Sequence, residues 1–133
     1  MDQLRDIMIK KVIMITQDKT AQDAARLMSE HGAGSVIVLN GDNIAGIVTE
    51  RDLVRKVCTK DVANSKVALS DVMSSPVITA EPDMPIETAV QRMFNSKIRR
   101  LPILENGKLV GIVTVSDLAK HLRTKSLIEK TFE

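Results

Sequence analysis

Gly46-Ile47-Val48-Thr49-Glu50-Arg51-Asp52-Leu53 returns 65 positions later (111 − 46 = 65) as Gly111-Ile112-Val113-Thr114-Val115-Ser116-Asp117-Leu118, and this recurrence decides the fold. An apolar Ile-Val pair that reaches a threonine and continues into Thr-x-x-Asp reads as a buried strand running into a helix. Its hydroxyl and carboxylate both crowd the helix N-terminus. Such a helix end carries unpaired backbone N–H groups and attracts hydrogen-bonding ligands. The chain is a tandem repeat, and its chemistry is expected where strand meets helix.

Working outward, Asp6-Ile7-Met8 is matched by Asp71-Val72-Met73, Val12-Ile13 by Val77-Ile78, Asp18 by Asp83, Ala24 by Ala89, Met28 by Met93 and Leu39 by Leu104. Residues 6–57 and 71–122 share 14 identities in 52 positions, where chance gives about three or four. Met1 to Lys11 has Leu4, Ile7 and Met8 at helical spacing and reads as an amphipathic lead-in. Val12 to Ile15 is a short β-branched strand. Thr20-Ala21-Gln22-Asp23 is a capping box that opens a helix reaching His31, with Ala21, Ala24, Leu27 and Met28 on its apolar face. Ser35 to Leu39 is continuously apolar and reads as a strand buried on both faces. Asn40-Gly41-Asp42-Asn43 is turn chemistry leading to a strand over Ile44 to Thr49; Asn106-Gly107 plays that part in the second repeat. Glu50 to about Val57 is a helix with Leu53, Val54 and Val57 on one side. Each repeat is therefore strand, helix, strand, strand, helix, a mixed α/β (α+β) architecture. The expected division is repeat 1 over 6–57, a polar linker over 58–70, repeat 2 over 71–122 and a charged tail over 123–133.

At 133 residues, two copies make one adequate core where one copy alone is marginal. A charged fraction of 27% and an apolar fraction of 44% are those of a globular chain, and no apolar run reaches the ~18 residues of a membrane span. Nothing near Met1 has the pattern of a signal peptide, so the expected location is the cytoplasm. Cys58, the single cysteine, excludes an intrachain disulfide and reads as a small packed residue. A net charge of +2, no Trp or Tyr and two Phe leave nucleic-acid binding without support.

Two such copies, each closing on Gly-Ile-Val-Thr-x-x-Asp-Leu, resemble a pair of cystathionine-β-synthase (CBS) domains, a Bateman module. The resemblance runs from about Asp6 to Leu122. It is carried by the combination of that motif with Asp-Ile-Met and Asp-Val-Met, and with Ile98-Arg99-Arg100-Leu101-Pro102-Ile103, which is similar to the His-Arg-Leu-Pro-Val run of the family. Repeat 1 holds Ala33-Gly34-Ser35-Val36-Ile37-Val38 at those positions and departs from the pattern. The resemblance implies sheets packed around a pseudo-twofold axis and two clefts for adenosine-containing ligands: AMP, ADP or ATP, with S-adenosylmethionine or NAD as alternatives. One cleft would join Thr49, Arg51 and Asp52 with Ile78, Thr79, Met84, Ala89, Ile98, Arg99 and Arg100. The other would join Thr114, Ser116 and Asp117 with Ile13, Met14, Lys19, Ala24, Ala33 and Gly34. By the same resemblance the aspartates take ribose hydroxyls, the threonines a ribose or phosphate oxygen, and the apolar residues sandwich adenine. A homodimer and an unidentified regulated partner protein complete what it implies. The chemistry agrees, since a vicinal diol offers two donors to one carboxylate and such charge-assisted bonds are strong.

Plainer roles stand beside these. Thr49 with Asp52 and Thr114 with Asp117 can simply cap their helices. Arg99 and Arg100 begin an apolar strand, which brings at least one guanidinium toward the cleft, where its planar fork suits phosphate. Their counterparts are Gly34 and Ser35 (99 − 65 = 34, 100 − 65 = 35), so only repeat 2 supplies cations there. Met8, Met28, Met73 and Met93 occupy matching apolar positions and read as core. His31 and His121 are too few for a metal site, and no Walker, dinucleotide or nucleophile-elbow motif is present, so no catalytic residue is assigned. The expected function is a non-catalytic CBS-domain pair that senses an adenine nucleotide. The alternatives are a ligand-free interaction module and a nucleic-acid binder using Arg51, Arg55, Lys56 and Lys60.

Overall fold

The computed structural model describes the backbone over residues 2–132 and the side chains over residues 2–125. The chain forms two compact units that do not follow the repeats end to end. One is Val12–Val77; the other combines residues 2–11 with residues 78–132.

In the continuous unit, β1 (Met14–Thr16) runs parallel to β2 (Ser35–Asn40), which is antiparallel to β3 (Asn43–Thr49). Between β1 and β2 lies α1 (Ala21–His31), opened by the predicted Thr20–Asp23 capping box. Its apolar face buries Ala21, Ala24 and Met28 against Val36, Val38 and Val48, and Leu27 packs at the edge of the same cluster. The central strand buries Val36, Ile37 and Val38 in succession, as a strand covered on both faces does. After β3 comes α2 (Glu50–Leu53), which passes into a π-helical turn over Val54–Cys58. The wider turn changes which residues face inward. Val57 is buried while Val54 is 57% exposed, so Val54 leaves the apolar side expected of it. Cys58, expected to pack, is exposed at the end of this turn.

The discontinuous unit repeats the plan with α3 (Ile86–Ser96), β4 (Arg100–Glu105), β5 (Lys108–Thr114) and α4 (Val115–Phe132). The register shift between Val38 and Leu39 recurs between Ile103 and Leu104. The charged tail continues α4 as far as Phe132, and the side chains from residue 126 onward lie outside the described residues.

The expected first strand of repeat 2 is not formed, and two prolines account for it. In repeat 1, Ile37 N–H donates to the Ile13 carbonyl and Gln17 N–H donates to the Leu39 carbonyl. Their counterparts are Pro102 (37 + 65) and Pro82 (17 + 65), which have no N–H to give. Only the two bonds between them survive, Ala80 N–H to Pro102 O at 3.0 Å and Leu104 N–H to Ala80 O at 2.8 Å. A single parallel bridge between Ala80 and Ile103 is what remains of the strand. In repeat 1 the strand is also displaced, to Met14–Thr16 from the expected Val12 to Ile15.

The lead-ins explain the discontinuity. Residues 2–9 form a 3₁₀ turn over Leu4–Asp6 rather than an amphipathic helix, with Leu4 fully buried in the core of repeat 2. Leu4 N–H bonds Met84 O at 3.0 Å, and Ile9 exchanges two backbone bonds with Ile112 at 2.9 and 3.0 Å. Residues 67–74 do the same for repeat 1: Leu69, within the stretch read as linker, is fully buried, and Ser74 exchanges two bonds with Ile47 at 2.9 and 3.1 Å. Each lead-in thus packs on the other copy. The motif glycines permit this approach. A Cβ on Gly46 would stand 2.6 Å from the Met73 sulfur and 3.0 Å from the Ser74 carbonyl oxygen; one on Gly111 would stand 2.8 Å from the Met8 sulfur and 3.1 Å from the Ile9 oxygen.

Gly46→Ala is therefore expected to cost about 1–3 kcal/mol through overpacking. Met73→Ala removes the clashing side chain, so the double variant should lose less stability than the sum of the two single losses. Urea unfolding of the four proteins in this cycle checks it, and strict additivity would count against Met73 as the constraint.

Candidate functional site

At the end of β3, Thr49 is extended and its hydroxyl accepts a hydrogen bond from Asp52 N–H at 3.2 Å. In return, Asp52 Oδ2 accepts from Thr49 N–H at 2.9 Å and from the Thr49 hydroxyl at 3.1 Å. The second copy is almost superimposable in its distances: Thr114 N–H and hydroxyl reach Asp117 Oδ2 at 2.9 and 3.0 Å, and Asp117 N–H reaches the Thr114 hydroxyl at 3.2 Å. Both caps use Oδ2 alone. A carboxylate has two acceptor oxygens, so Oδ1 remains for another donor.

The two copies differ in what meets Oδ1. In the first, Lys56 Nζ lies 3.2 Å from Asp52 Oδ1 and also donates to Val72 O at 3.0 Å, tying the helix to the incoming lead-in. The counterpart of Lys56 is His121 (56 + 65), whose Nε2 instead meets Asp2 Oδ2 at 3.1 Å, on the lead-in of that unit. No donor meets Asp117 Oδ1 among the described residues. Lys56 was not singled out from the sequence as a partner of Asp52, although its i+4 spacing is the signal for it.

A third box of the same kind, Thr20 with Asp23, opens α1. There the Thr20 backbone N–H first, and its hydroxyl second, hold the Asp23 carboxyl below the usual carboxylate range. Asp18 is lowered chiefly by the Thr16 hydroxyl. The box is thus a helix-capping device wherever it occurs, and Thr-x-x-Asp alone does not define a ligand site.

In the continuous unit, Ser35 pairs with Thr49, and Glu50 N–H bonds Gly34 O at 3.1 Å, so Gly34 sits beside the Thr49 cap with Ala33 before it. Arg51 is exposed on the first turn of α2. Ile13 packs on the core, Met14 is 48% exposed, and Lys19 lines a shallow groove with Ile15, Asp23 and Arg26. In the discontinuous unit the same geometry brings Arg100 opposite Thr114 and Arg99 O to Val115 N–H at 2.9 Å. Arg100 is half-buried, whereas Arg99 and Ser116 are exposed. Ile98 and Met84 pack on the core, and Ile78 is 38% exposed. Ala24 and Ala89 are corrected: both have 0% exposure inside their helices, so they offer no surface to a ligand and serve packing.

Thr79 and Met84 border a cavity of about 850 Å³ in the discontinuous unit, together with Arg5, Glu81, Asp83, Arg92 and Asn106. Neither the Arg99–Arg100 pair nor Thr114 and Asp117 line it. Arg92 Nη1 donates to Thr79 O at 2.8 Å and holds that wall. The sequence reading passed over Arg92, and the signal was the replacement of Leu27 by arginine at the matching helix position (27 + 65 = 92). Among the described residues no group of three or more His, Cys, Asp or Glu is placed to hold a metal ion, and no helix is long and apolar enough to cross a membrane.

Comparison with known proteins agrees with this plan. The profile of the CBS domain matches residues 4–59 and again residues 69–124. A protein of Methanopyrus kandleri is 48% identical over 111 residues, covering 82% of this chain and 57% of its own length, so the chain spans little more than half of that relative. The CBS domain-containing protein YhcV of Bacillus subtilis is 35% identical over 119 residues, covering 90% of this chain and 84% of its own. A crystal structure of a CBS-domain containing protein from Agrobacterium tumefaciens superposes with a TM-score of 0.83 at 26% identity, over 91% of this chain and 99% of that one. With both repeats matched by the profile and both built on the same swapped lead-in, strand and capped-helix plan, the chain belongs to the CBS-domain family.

Proposed function

We propose that this CBS-domain pair binds an adenosine-containing ligand at its Thr-x-x-Asp helix ends and regulates a partner protein rather than catalysing a reaction. The observation that carries the reading is the division of labour within the carboxylates: Oδ2 completes the cap in both copies, Oδ1 of Asp117 meets no donor among the described residues, and Oδ1 of Asp52 meets the Lys56 ammonium alone, which leaves acceptor capacity for the hydroxyls of a ribose. AMP, ADP and ATP are the proposed ligands, and S-adenosylmethionine and NAD share the ribose that these aspartates recognise. A CBS domain pair solved in complex with 5′-methylthioadenosine and S-adenosyl-L-methionine has the same fold, with a TM-score of 0.83 at 23% identity. That likeness speaks for the fold, and the ligand class rests on Asp52 and Asp117. A population shift between two packings of the chain, one of which binds ligand better, would carry the signal. A cytoplasmic setting belongs to the same proposal.

A ligand-free interaction module is the second reading. The observation in its favour is that Lys56 already occupies Asp52 Oδ1, while the Thr20–Asp23 box caps a helix with no ligand motif around it.

Calorimetry with AMP separates the two. Asp52→Ala or Asp117→Ala should remove charge-assisted bonds of about 1.5–3 kcal/mol, weakening binding ~10- to 100-fold at the affected site. Loss of the cap should lower stability by only about 0.5–2 kcal/mol, so both variants remain folded. Unchanged affinity in both would reduce these aspartates to helix caps.

Arg99 and Arg100 are proposed to hold the phosphate. Replacing both by alanine should weaken AMP binding far more than adenosine binding, because the bidentate contacts act on phosphate. Repeating the titrations in the Asp52→Ala and Asp117→Ala backgrounds identifies the aspartate with which the arginines act. Equal losses for AMP and adenosine would mean that the arginines support the fold alone.

Self-association is also proposed. Phe94 is 79% exposed, Val54 57% and Leu122 54%, apolar surface that a second copy can cover. A structurally similar CBS-CP12 protein from bloom-forming cyanobacteria is hexameric (30% identity, TM-score 0.82). Light scattering at micromolar concentration should give the mass of a dimer, and Phe94→Glu should shift it toward the monomer; a monomer for the unaltered protein would end this part of the proposal.

A further inference from the structure

The continuous unit holds a cavity of about 420 Å³ that none of the residues expected to bind an adenosine-containing ligand lines. Its accessible apolar lining is Val67, which is half-buried, and Val62, which is 51% exposed, while Val57 and Val72, at 2% and 1% exposure, belong to the core of the unit. Around them are three ammonium groups, Lys56, Lys60 and Lys66, against one carboxylate, Asp71. Lys56 is occupied by Asp52 Oδ1 and Val72 O. Lys60 and Lys66 are exposed and form no ion pair among the described residues.

A polar loop that only connected two repeats would solvate its lysines individually. Here the loop folds back through 3₁₀ turns at Asn64–Lys66 and Leu69–Asp71 and closes onto the π turn. The result is an apolar slot with cations at its rim, of a size usual for small-molecule sites. A methylene stem in the slot gains from burial against Val62 and Val67, while an anionic head meets lysines that act as mobile point charges. An anion without an apolar body leaves the valines unused. An apolar molecule without charge leaves the two lysines unanswered.

We propose that this cavity binds a small amphipathic anion, an apolar body carrying a phosphate-type head, at a site separate from the Thr-x-x-Asp helix ends. The proposal does not depend on adenosine binding, and its test contains no nucleotide. Hexyl phosphate, inorganic phosphate and hexanol are titrated into the full chain while the methyl resonances of Val57, Val62, Val67 and Val72 are followed by NMR. The expected result is saturable shifts with hexyl phosphate, with at least tenfold weaker binding of inorganic phosphate and of hexanol. Lys60→Glu with Lys66→Glu should weaken hexyl phosphate at least tenfold with an unchanged melting temperature. If that double variant fails to fold, Lys66→Gln is used, with a weakening of several-fold expected. The absence of saturable valine shifts, equal affinity of the charge-reversed or neutralised protein, or equal affinity for hexanol or for inorganic phosphate would each overturn the proposal.

Discussion

The fold depends on a close approach of backbones at two glycines. Where Gly46 and Gly111 lie in their strands, the sulfur and methylene groups of Met73 and Met8 occupy the space a side chain would take, and the lead-in backbone bonds the strand one residue further on. Everything that distinguishes this chain from two independent repeats follows. Leu69 enters the core of repeat 1 and Leu4 that of repeat 2, each fully buried although neither lies in an α-helix or a strand. Glycine in a strand interior is ordinarily a weakness; here the close approach uses it.

A second economy lies in the capping box. Helix starts need acceptors for their first N–H groups, and the threonine hydroxyl supplies one while the aspartate braces the threonine in return. The arrangement needs only one carboxylate oxygen, so the same side chain can order the helix and receive a ligand. What separates the copies is the residue one turn on: lysine at 56 grips both its aspartate and the neighbouring carbonyl, whereas histidine at 121 turns to Asp2. Two repeats with matching caps thus present unequal oxygens to solvent.

Much of this was legible in the sequence. The capping boxes, the hairpins, the apolar face of α1 and the repeat itself appear where period and turn chemistry place them, because those signals are local. The missing strand was legible only by aligning the copies, since a proline matters for the bond its N–H would have made in a ladder that the other copy shows. Leu69 was hidden in a polar stretch and visible only as the match of Leu4 (69 − 65 = 4). The exchange of lead-ins was not legible, because Asp-Ile-Met and Asp-Val-Met say that something packs without saying on which copy. Likewise Ala24 and Ala89 match each other but are buried, and sequence identity between repeats does not separate a wall from its backing. Cys58 and Val54 were misplaced because a π turn shifts the helical phase without a sequence signature of its own.

The exchanged lead-ins also order events in time as the chain is made. The continuous unit is complete by residue 77, and its longest backbone bridge, Thr20 with Ala68, spans 48 positions (68 − 20). The other unit must join Ile9 to Ile112, 103 positions apart (112 − 9), with all of the first unit lying between. Closing so long a loop costs chain entropy, and distant contacts form slowly. During synthesis residues 2–11 emerge before the continuous unit, and their partners in β5 follow only after all of it. Leu4, among the most buried side chains of the finished protein, has no native core to enter until residues 80–118 are made.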